Sequence, residues 1–368
     1  MAKEISTIKD ILKKGPDLSK EDIIRLLSVN SEDDHKAIVD YAGRIRNELL
    51  GNRVYFRGLI EYSNLCVKDC YYCGIRRGNS KQERYTMTDQ EVLDCAEFAY
   101  KSRYGSLVIQ AGERSDKAFV DKIEYLLKEI KKLSEGKLGI TLSLGEQTDE
   151  TYRRWFEAGA HRYLLRIETS SQELYSKYHP DDETHAYDVR LAALERIRNA
   201  GFQVGTGVMI GLPGQSISDL ADDLLFIKKL DADMVGMGPY IENENTPLYD
   251  RRGELIPKKD RFDLSMRMVA TLRILMPDIN MAATTAMQTL DPLGREKAIR
   301  AGANVIMPNL TPVKYRENYL LYEGKPCLDE DAEKCAGCIT ARIRSTGAEV
   351  GFGEWGDSKH FMRRTEGK

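Results

Sequence analysis

Apolar residues fall into two alternating rhythms along this chain, one helical and one close to continuous. The first fifty residues follow the helical rhythm. "LSKEDIIRLL" offers Ser19 as an N-cap with Asp22 three residues later, and "NSEDDHKAIVDYAGRIRNELLG" spaces apolar residues at helical intervals up to Gly51. From residue 53 short runs of β-branched and apolar residues take over, at 53–63, 106–113, 138–146, 162–169, 203–213, 234–241, 280–287 and 304–311. Charged amphipathic stretches separate them, among them "TDQEVLDCAEFAYKSRYG", where Thr88 and Glu91 make a second capping box, and "DKAFVDKIEYLLKEIKKLSEG".

Eight strands alternating with helices predict an α/β protein with a parallel sheet, and eight is the number that closes a complete (β/α)8 TIM-type barrel. An open doubly wound sheet is the second possibility. Polar and glycine-rich segments follow the C-terminal end of nearly every strand ("NLCVKDC", "AGER", "GEQ", "ETSS", "GLPGQ", "IENEN", "TTAMQT", "NLTP"). In a barrel these ends share one mouth, where active sites lie. The expected organisation is a helical extension over 1–50, a catalytic barrel over 51–311 and a C-terminal tail over 312–368.

Composition narrows the function classes. The chain has 368 residues and a formal net charge of −3, so it lacks the basic excess of a nucleic-acid binder. No run of about 18 apolar residues is present to span a membrane. "MAKEISTIKDILKKGPDLSK" is charged throughout and has no apolar segment of a secretory signal, which predicts a cytoplasmic protein. Seven cysteines, an odd number in a reducing compartment, point to metal binding or reactivity rather than disulfides.

Three of the seven, Cys66, Cys70 and Cys73, follow the first strand at C-x3-C-x2-C spacing. A structural zinc site takes four ligands, and none of the five histidines (His35, His161, His179, His185, His360) stands at zinc-knuckle spacing. A [4Fe–4S] cluster takes four thiolates, so three cysteines leave one iron with an open position. Zinc completed by a distant ligand, or buried unligated thiols, are the alternatives that spacing leaves open.

C-x3-C-x2-C after the first strand, with Tyr72 before the last cysteine, resembles the radical S-adenosylmethionine (SAM) superfamily. The resemblance implies that the open iron binds the amino and carboxylate groups of SAM, and that the reduced cluster cleaves SAM to methionine and a 5′-deoxyadenosyl radical. "QAGE" at the end of strand two is similar to the family's Gly-Gly-Glu segment. This makes Gln110, Ala111, Gly112 and Glu113 cofactor-binding candidates, with Glu113 accepting from the SAM ammonium.

Within the superfamily, "GNRVYFRGLIEYSNLCVKDCYYCGIRR", "ITLSLGE", "RYLLRIET", "GVMIGLPGQ", "DMVGMGPYI", "ATTAM" and "GANVIMPNLTP" resemble the HydE family of [FeFe]-hydrogenase maturases, with biotin synthase and methylornithine synthase as relatives. The resemblance implies that Arg166 and Glu168 reach SAM at its carboxylate and ribose, that Arg190 meets the SAM carboxylate, and that Tyr319 and Tyr322 close over it. Met234 and Met307 would line the adenine or cavity region, and Thr284 and Thr285 would hold a carboxylate or small anion of the substrate. Each has an ordinary structural alternative: a buried Arg–Glu pair, a solvated helix charge, a helix packing face, core methionines, or threonines chosen for strand propensity. Cys327, Cys335 and Cys338 in "KPCLDEDAEKCAGC" are similar to an accessory cluster site of that family, against a tail zinc site or surface thiols. Cys95, within a helical pattern, reads as a buried thiol without a role. The chain departs from the family at Ile167, where a His is expected, and at Ala111, where a Ser is expected.

The implied activity is a radical SAM maturase acting on a cysteine-bound iron carbonyl–cyanide precursor of the hydrogenase diiron subsite. Its expected partners are an electron donor and other hydrogenase maturases, with no nucleic acid and no membrane. A radical SAM enzyme acting on a small amino acid, in the manner of methylornithine synthase, and a non-catalytic Fe–S scaffold are the rivals.

Overall fold

A computed structural model describes residues 7–366, so residues 1–6 of the helical extension and 367–368 of the tail lie outside the described residues. Both N-terminal capping signals act as read. Ser19 caps the helix Lys20–Leu27 in a box with Asp22, and Thr88 caps Asp89–Lys101 in a box with Glu91. The helix Glu32–Leu50 stops at Gly51, whose positive φ of 77° ends the helical path. Together with Lys20–Leu27 it packs on the helix Lys258–Leu275. The N-terminal helices and the tail helix Ala332–Ser345 contribute to the same apolar core as the strands.

Among the described residues eleven strands form, all in parallel pairings: β1 Arg53–Ser63, β2 Ser106–Ala111, β3 Gly139–Ser143, β4 Arg162–Leu164, β5 Gln203–Thr206, β6 Met209–Ile210, β7 Met234–Val235, β8 Gly238–Pro239, β9 Asn280–Met281, β10 Val305–Ile306 and β11 Glu349–Val350. The sheet runs β10-β1-β2-β3-β4-β5-β7-β9, with β11 added beside the first two residues of β1. Every expected strand is present, although two are broken. The runs 203–213 and 234–241 each divide, because a Cβ on Gly207 would sit 1.9 Å from the Gly236 carbonyl oxygen. The backbones approach too closely there for a regular ladder, and pairing resumes above as β6 with β8.

The complete, closed (β/α)8 barrel expected from the strand count does not form. The end strands β9 and β10 share no ladder, and the seam between them carries one isolated bridge, Ala282 to Val305. A side chain interrupts the pairing: the Met281 N–H donates to Asn304 Oδ1 at 2.9 Å instead of to a backbone carbonyl. The strands also shorten from eleven residues in β1 to two in β7, β9 and β10, which leaves too little backbone for a full ladder. The result is an α/β partial barrel with one unsealed seam. Among the described residues no helix is long and apolar enough to cross a membrane.

The end of the barrel opposite the cysteine loop is closed by the tail. Arg162, with no exposed side-chain surface, donates to the Trp355 carbonyl at 3.0 Å and to Asp357 Oδ1 at 2.6 Å. Gln203 also donates to Asp357, and Asn280 donates to the Gly356 carbonyl. Burial pulls the Arg162 guanidinium down to about 10, and Asp357 works against that. Asp357→Ala leaves this cation in the barrel floor without its carboxylate. It is expected to cost about 2–3 kcal/mol, less than a fully buried pair because Asp357 is partly exposed, and to lower the urea midpoint. An unchanged midpoint would show that the tail does not brace the barrel.

Candidate active site

β1 ends at Ser63 and the chain enters a loop, residues 64–87, that carries Cys66, Cys70 and Cys73 across the mouth. The loop is tied to itself. Arg84 donates to the carbonyls of Asn64, Ile75 and Arg76 at 2.8, 2.8 and 2.6 Å, and Asp69 Oδ1 accepts from the Gly78 N–H and from Arg76. It is also tied to β2. The Gly112 N–H donates to the Ser63 carbonyl at 2.8 Å, the Val67 N–H to the Glu113 carbonyl at 3.0 Å, and the Glu113 N–H to Cys66 Sγ at 3.3 Å. A Cβ on Gly112 would lie 2.3 Å from the Leu65 oxygen and 2.8 Å from the Cys66 Cβ, so only glycine permits this crossing.

Burial pushes all three thiols up from their ordinary range, Cys70 to about 12 and Cys73 well above, with the neighbouring cysteines adding to the effect on both. The three are thus close enough to feel one another's charge. Among the described residues no three His, Cys, Asp or Glu side chains converge closely enough to hold a single metal ion.

Beside the cysteines lie four buried charges. Glu113, at the end of β2, sits 3.1 Å from Lys68 Nζ and 3.4 Å from Arg190 Nη2. Glu146, beyond the end of β3, sits 3.0 Å from Lys68 Nζ and 2.8 Å from Arg190 Nε. Lys68 is in the cysteine loop and Arg190 in the helix Tyr187–Asn199, so four segments meet at one point. Burial pushes the Glu113 carboxyl up, and Arg190 and Lys68 pull against that. Arg190 itself is held well above its ordinary value by Glu113 and Glu146, in spite of its burial.

Arg166 and Glu168 follow β4 and pair at 2.9 Å. Glu168 has a φ of +67°, a left-handed conformation that costs a non-glycine residue free energy. It is held there from both sides: the N–H groups of Ile167 and Glu168 both donate to the Gly207 carbonyl, and the Met209 N–H donates to the Glu168 carbonyl. Asp223, buried in the helix Ile217–Lys229, fixes the next turn by accepting from the Ser170 N–H at 2.6 Å. Ile167 is fully buried and offers the mouth no polar group.

Tyr72 is braced by residues far away in sequence. Its hydroxyl lies 3.1 Å from His179 Nε2, His179 Nδ1 reaches the Tyr175 carbonyl at 2.7 Å, and the Tyr175 ring stacks on the imidazole. Burial holds His179 down at about 3, so at neutral pH the ring is uncharged, donates from Nδ1 and accepts from Tyr72 at Nε2. His185 Nε2 accepts from the Asp69 N–H at 2.9 Å.

Tyr319 and Tyr322 lie on a strap that crosses the mouth. Tyr319 is buried, and the charges of Glu61, Cys73 and Cys66 bear on its hydroxyl. Tyr322 is half-buried within reach of the charges of Glu61 and Arg166. Lys325 pins the strap by an ion pair to Glu61 of β1. Gln110 and Ala111, in the last two positions of β2, are both half-buried. Thr284 and Thr285 stand after β9, where Thr284 Oγ1 donates to the Met237 carbonyl at 3.3 Å. Met234 and Met307 sit elsewhere, lining an inner cavity of about 40 Å³ beside Arg57, whose Nη1 is 3.2 Å from Met234 Sδ.

The three tail cysteines are unevenly placed. Cys335 is buried within the core and near enough to Cys327 to feel its charge, whereas Cys338, in the same helix, is exposed. Cys327 has a φ of +64°, and its carbonyl accepts from the buried Arg316 at 2.9 Å. Cys95 is buried, with its thiol 3.1 Å from the Leu310 carbonyl oxygen.

Lys68, Glu146, His179 and His185 were not among the site residues expected from sequence. Glu146 had a signal: "LGE" beyond β3 repeats the "AGE" that ends β2. Lys68 and the histidines had none, since their role comes from segments distant in sequence.

The radical SAM superfamily model matches residues 60–227. The [FeFe] hydrogenase maturase subunit HydE of Thermotoga maritima is 43% identical over 97% of this chain and 99% of its own length. A crystal structure of the [FeFe]-hydrogenase maturase HydG superposes with a TM-score of 0.79 at 25% identity, over 95% of this chain and 77% of that one. The crystal structure of methylornithine synthase (PylB) gives 0.77 at 22% identity, over 95% and 98%, which is a likeness of fold.

Gly112→Ala is expected to push β2 away from the cysteine loop and to reduce iron retained after anaerobic reconstitution to below about half of the parent value. Circular dichroism should stay unchanged. Full iron retention would mean that the crossing at Gly112 does not shape the cysteine loop.

Proposed function

The chain belongs to the radical SAM superfamily and, within it, to the HydE family of [FeFe]-hydrogenase maturases, and from that premise we propose how its mouth is used. The protein is an enzyme that cleaves SAM in [FeFe]-hydrogenase maturation, and its family uses SAM with an Fe–S cofactor. Cys66, Cys70 and Cys73 would hold a [4Fe–4S] cluster; thiols that sense one another without converging on one ion suit a group several ångströms across. When bound, the cluster supplies the electron that cleaves SAM and an open iron for its amino and carboxylate groups.

The observation that carries this reading is the pairing of a buried carboxylate and a buried guanidinium, Glu113 and Arg190, next to Cys66. The methionine end of SAM is a zwitterion, and these two groups are its complement: Glu113 accepts from the ammonium and Arg190 donates to the carboxylate. Gln110, Ala111 and Gly112 present backbone and a small surface beside it. Glu168, with Arg166, faces the ribose hydroxyls. Tyr72 walls the cluster side, and Tyr319 and Tyr322 keep water from above. Thr284 and Thr285 hold an anionic group of the substrate, and Met234 and Met307 line the space below. The substrate is a cysteine-bound iron carbonyl–cyanide complex, an electron donor and other hydrogenase maturases are the partners, and residues 51–311 form the catalytic unit. Cys327, Cys335 and Cys338 are the ligands of an accessory cluster. A small amino acid substrate is the weaker reading, since 22% identity to methylornithine synthase carries fold alone.

Reconstituted protein, reduced with dithionite and given SAM, is expected to form 5′-deoxyadenosine, more of it when the synthetic cysteine-bound iron dicarbonyl cyanide complex is added. Cys70→Ala should form none above background; cleavage by that variant would remove the mechanism. Cys335→Ser should retain most of the parent rate, and a dead variant would show that the tail site is not accessory.

A further inference from the structure

Lys68 and Glu146 take no direct part in the reading above, yet both are buried in the network that receives SAM. The four side chains Lys68, Glu113, Glu146 and Arg190 are 6, 11, 12 and 10% exposed, and their charges sum to zero. Each cation touches both carboxylates. A ligand that brings its own ammonium and carboxylate cannot simply be added to such a closed set. Its ammonium must displace a cation from Glu113, and its carboxylate must draw Arg190 from a carboxylate. Lys68 holds Glu113 by the same chemical group, an ammonium, that the ligand brings.

We propose that Lys68 and Glu146 are positioning residues: Lys68 holds the place of the ligand ammonium on Glu113, and Glu146 retains Lys68 when the ligand takes that place. This inference rests on Glu113 and Arg190 being the SAM-binding pair. Glu146 Oε2 is already 3.0 Å from Lys68 Nζ, and the Thr184 carbonyl also accepts from that ammonium. Lys68 therefore keeps two acceptors after Glu113 is taken, and a buried cation is never left bare. The retained pair also keeps the cysteine loop fixed to the segment beyond β3 in both states.

The exchange predicts effects of opposite sign from the two halves of the pair. In Glu146→Gln, Glu113 is the last carboxylate left to Lys68, so the ligand must strip a buried ammonium. SAM dissociation constants should rise by about tenfold or more. In Lys68→Met, Glu113 has no competing ammonium, and SAM should bind at least as tightly as to the parent. In the double variant Lys68→Met/Glu146→Gln, the stranded cation is gone, and affinity should return to within about threefold of the parent.

The measurement is equilibrium dialysis of radiolabelled SAM against the reconstituted, unreduced protein, so that no turnover occurs, with the thermal midpoint of the metal-free chain as a second readout. Weak binding by Glu146→Gln with recovery in the double variant supports the exchange. Unchanged binding by Glu146→Gln, or a double variant no better than Glu146→Gln, overturns it. If Glu146→Gln fails to fold, the double variant, which buries no unpaired cation, must still fold and bind; its failure also overturns the proposal. A parent protein that binds no SAM would sink the SAM reading itself, an outcome distinct from all of these.

Discussion

A charge taken out of water must be matched, and the mouth of this barrel is organised by that rule. Four ionised side chains from the cysteine loop, the ends of β2 and β3, and the helix Tyr187–Asn199 neutralise one another within hydrogen-bonding distance. None of the four segments can shift without exposing a partner to an uncompensated neighbour. The cysteine loop therefore inherits its position from the strand ends, although it contains no regular structure itself. Its remaining freedom is removed by Arg84, whose guanidinium gathers loop carbonyls, and by two histidines, His179 and His185, that accept from the Tyr72 hydroxyl and the Asp69 N–H. The three thiols are thus positioned by contacts within the protein chain itself.

What could be read in the sequence followed from local periodicity. The helix caps at Ser19 and Thr88, the limits of β1, and the order of strands and helices are all properties of short windows, and all are present in the fold. So is the convergence of the strand-end segments on one mouth, which put Cys66, Glu113, Arg166 and Glu168 on the same face. Closure of the barrel was not a local property. It depended on whether β9 and β10 pair with each other, and the Asn304 side chain occupies the Met281 N–H at that seam. The breaks within 203–213 and 234–241 have the same origin, since the approach of Gly207 to Gly236 involves two segments nearly thirty residues apart. Lys68 and His179 look like an ordinary loop lysine and a helix-end histidine until the segments that face them are known.

The tail shows a similar division. Its cysteines are close in sequence, and spacing grouped them as one set, but the helix Ala332–Ser345 turns Cys335 into the core and leaves Cys338 at the surface. The parts of the tail with the plainest structural work carry no motif. Lys325 ties the strap to Glu61 of β1, Arg316 gathers the carbonyls around Cys327, and Trp355 with Asp357 closes the barrel floor under Arg162. The tail thus touches both ends of the barrel and braces it where the strands do not brace themselves.

This bracing makes the two sides of the mouth different. On the side of β1, β2 and β3 the ladders are long, and the cysteine loop and the carboxylates are fixed to them by backbone hydrogen bonds and buried ion pairs. On the side of β9 and β10 the ladder is missing, and the seam is held by two backbone hydrogen bonds, Asn304 N–H to the Met281 carbonyl and Ala283 N–H to the Val305 carbonyl, with the Asn304 side chain. SAM and the cluster would lie against the stiff side, where misplacement of a reactive group costs most. Thr284 and Thr285 stand beside the unsealed seam, where the shape of the cavity depends on side chains and a strap. On the proposed reading, a substitution there would change the space offered to a substrate without disturbing a ladder. A scaffold divided in this way keeps one radical-generating chemistry constant while its substrate side varies, and it explains how relatives with different reactions can share this fold.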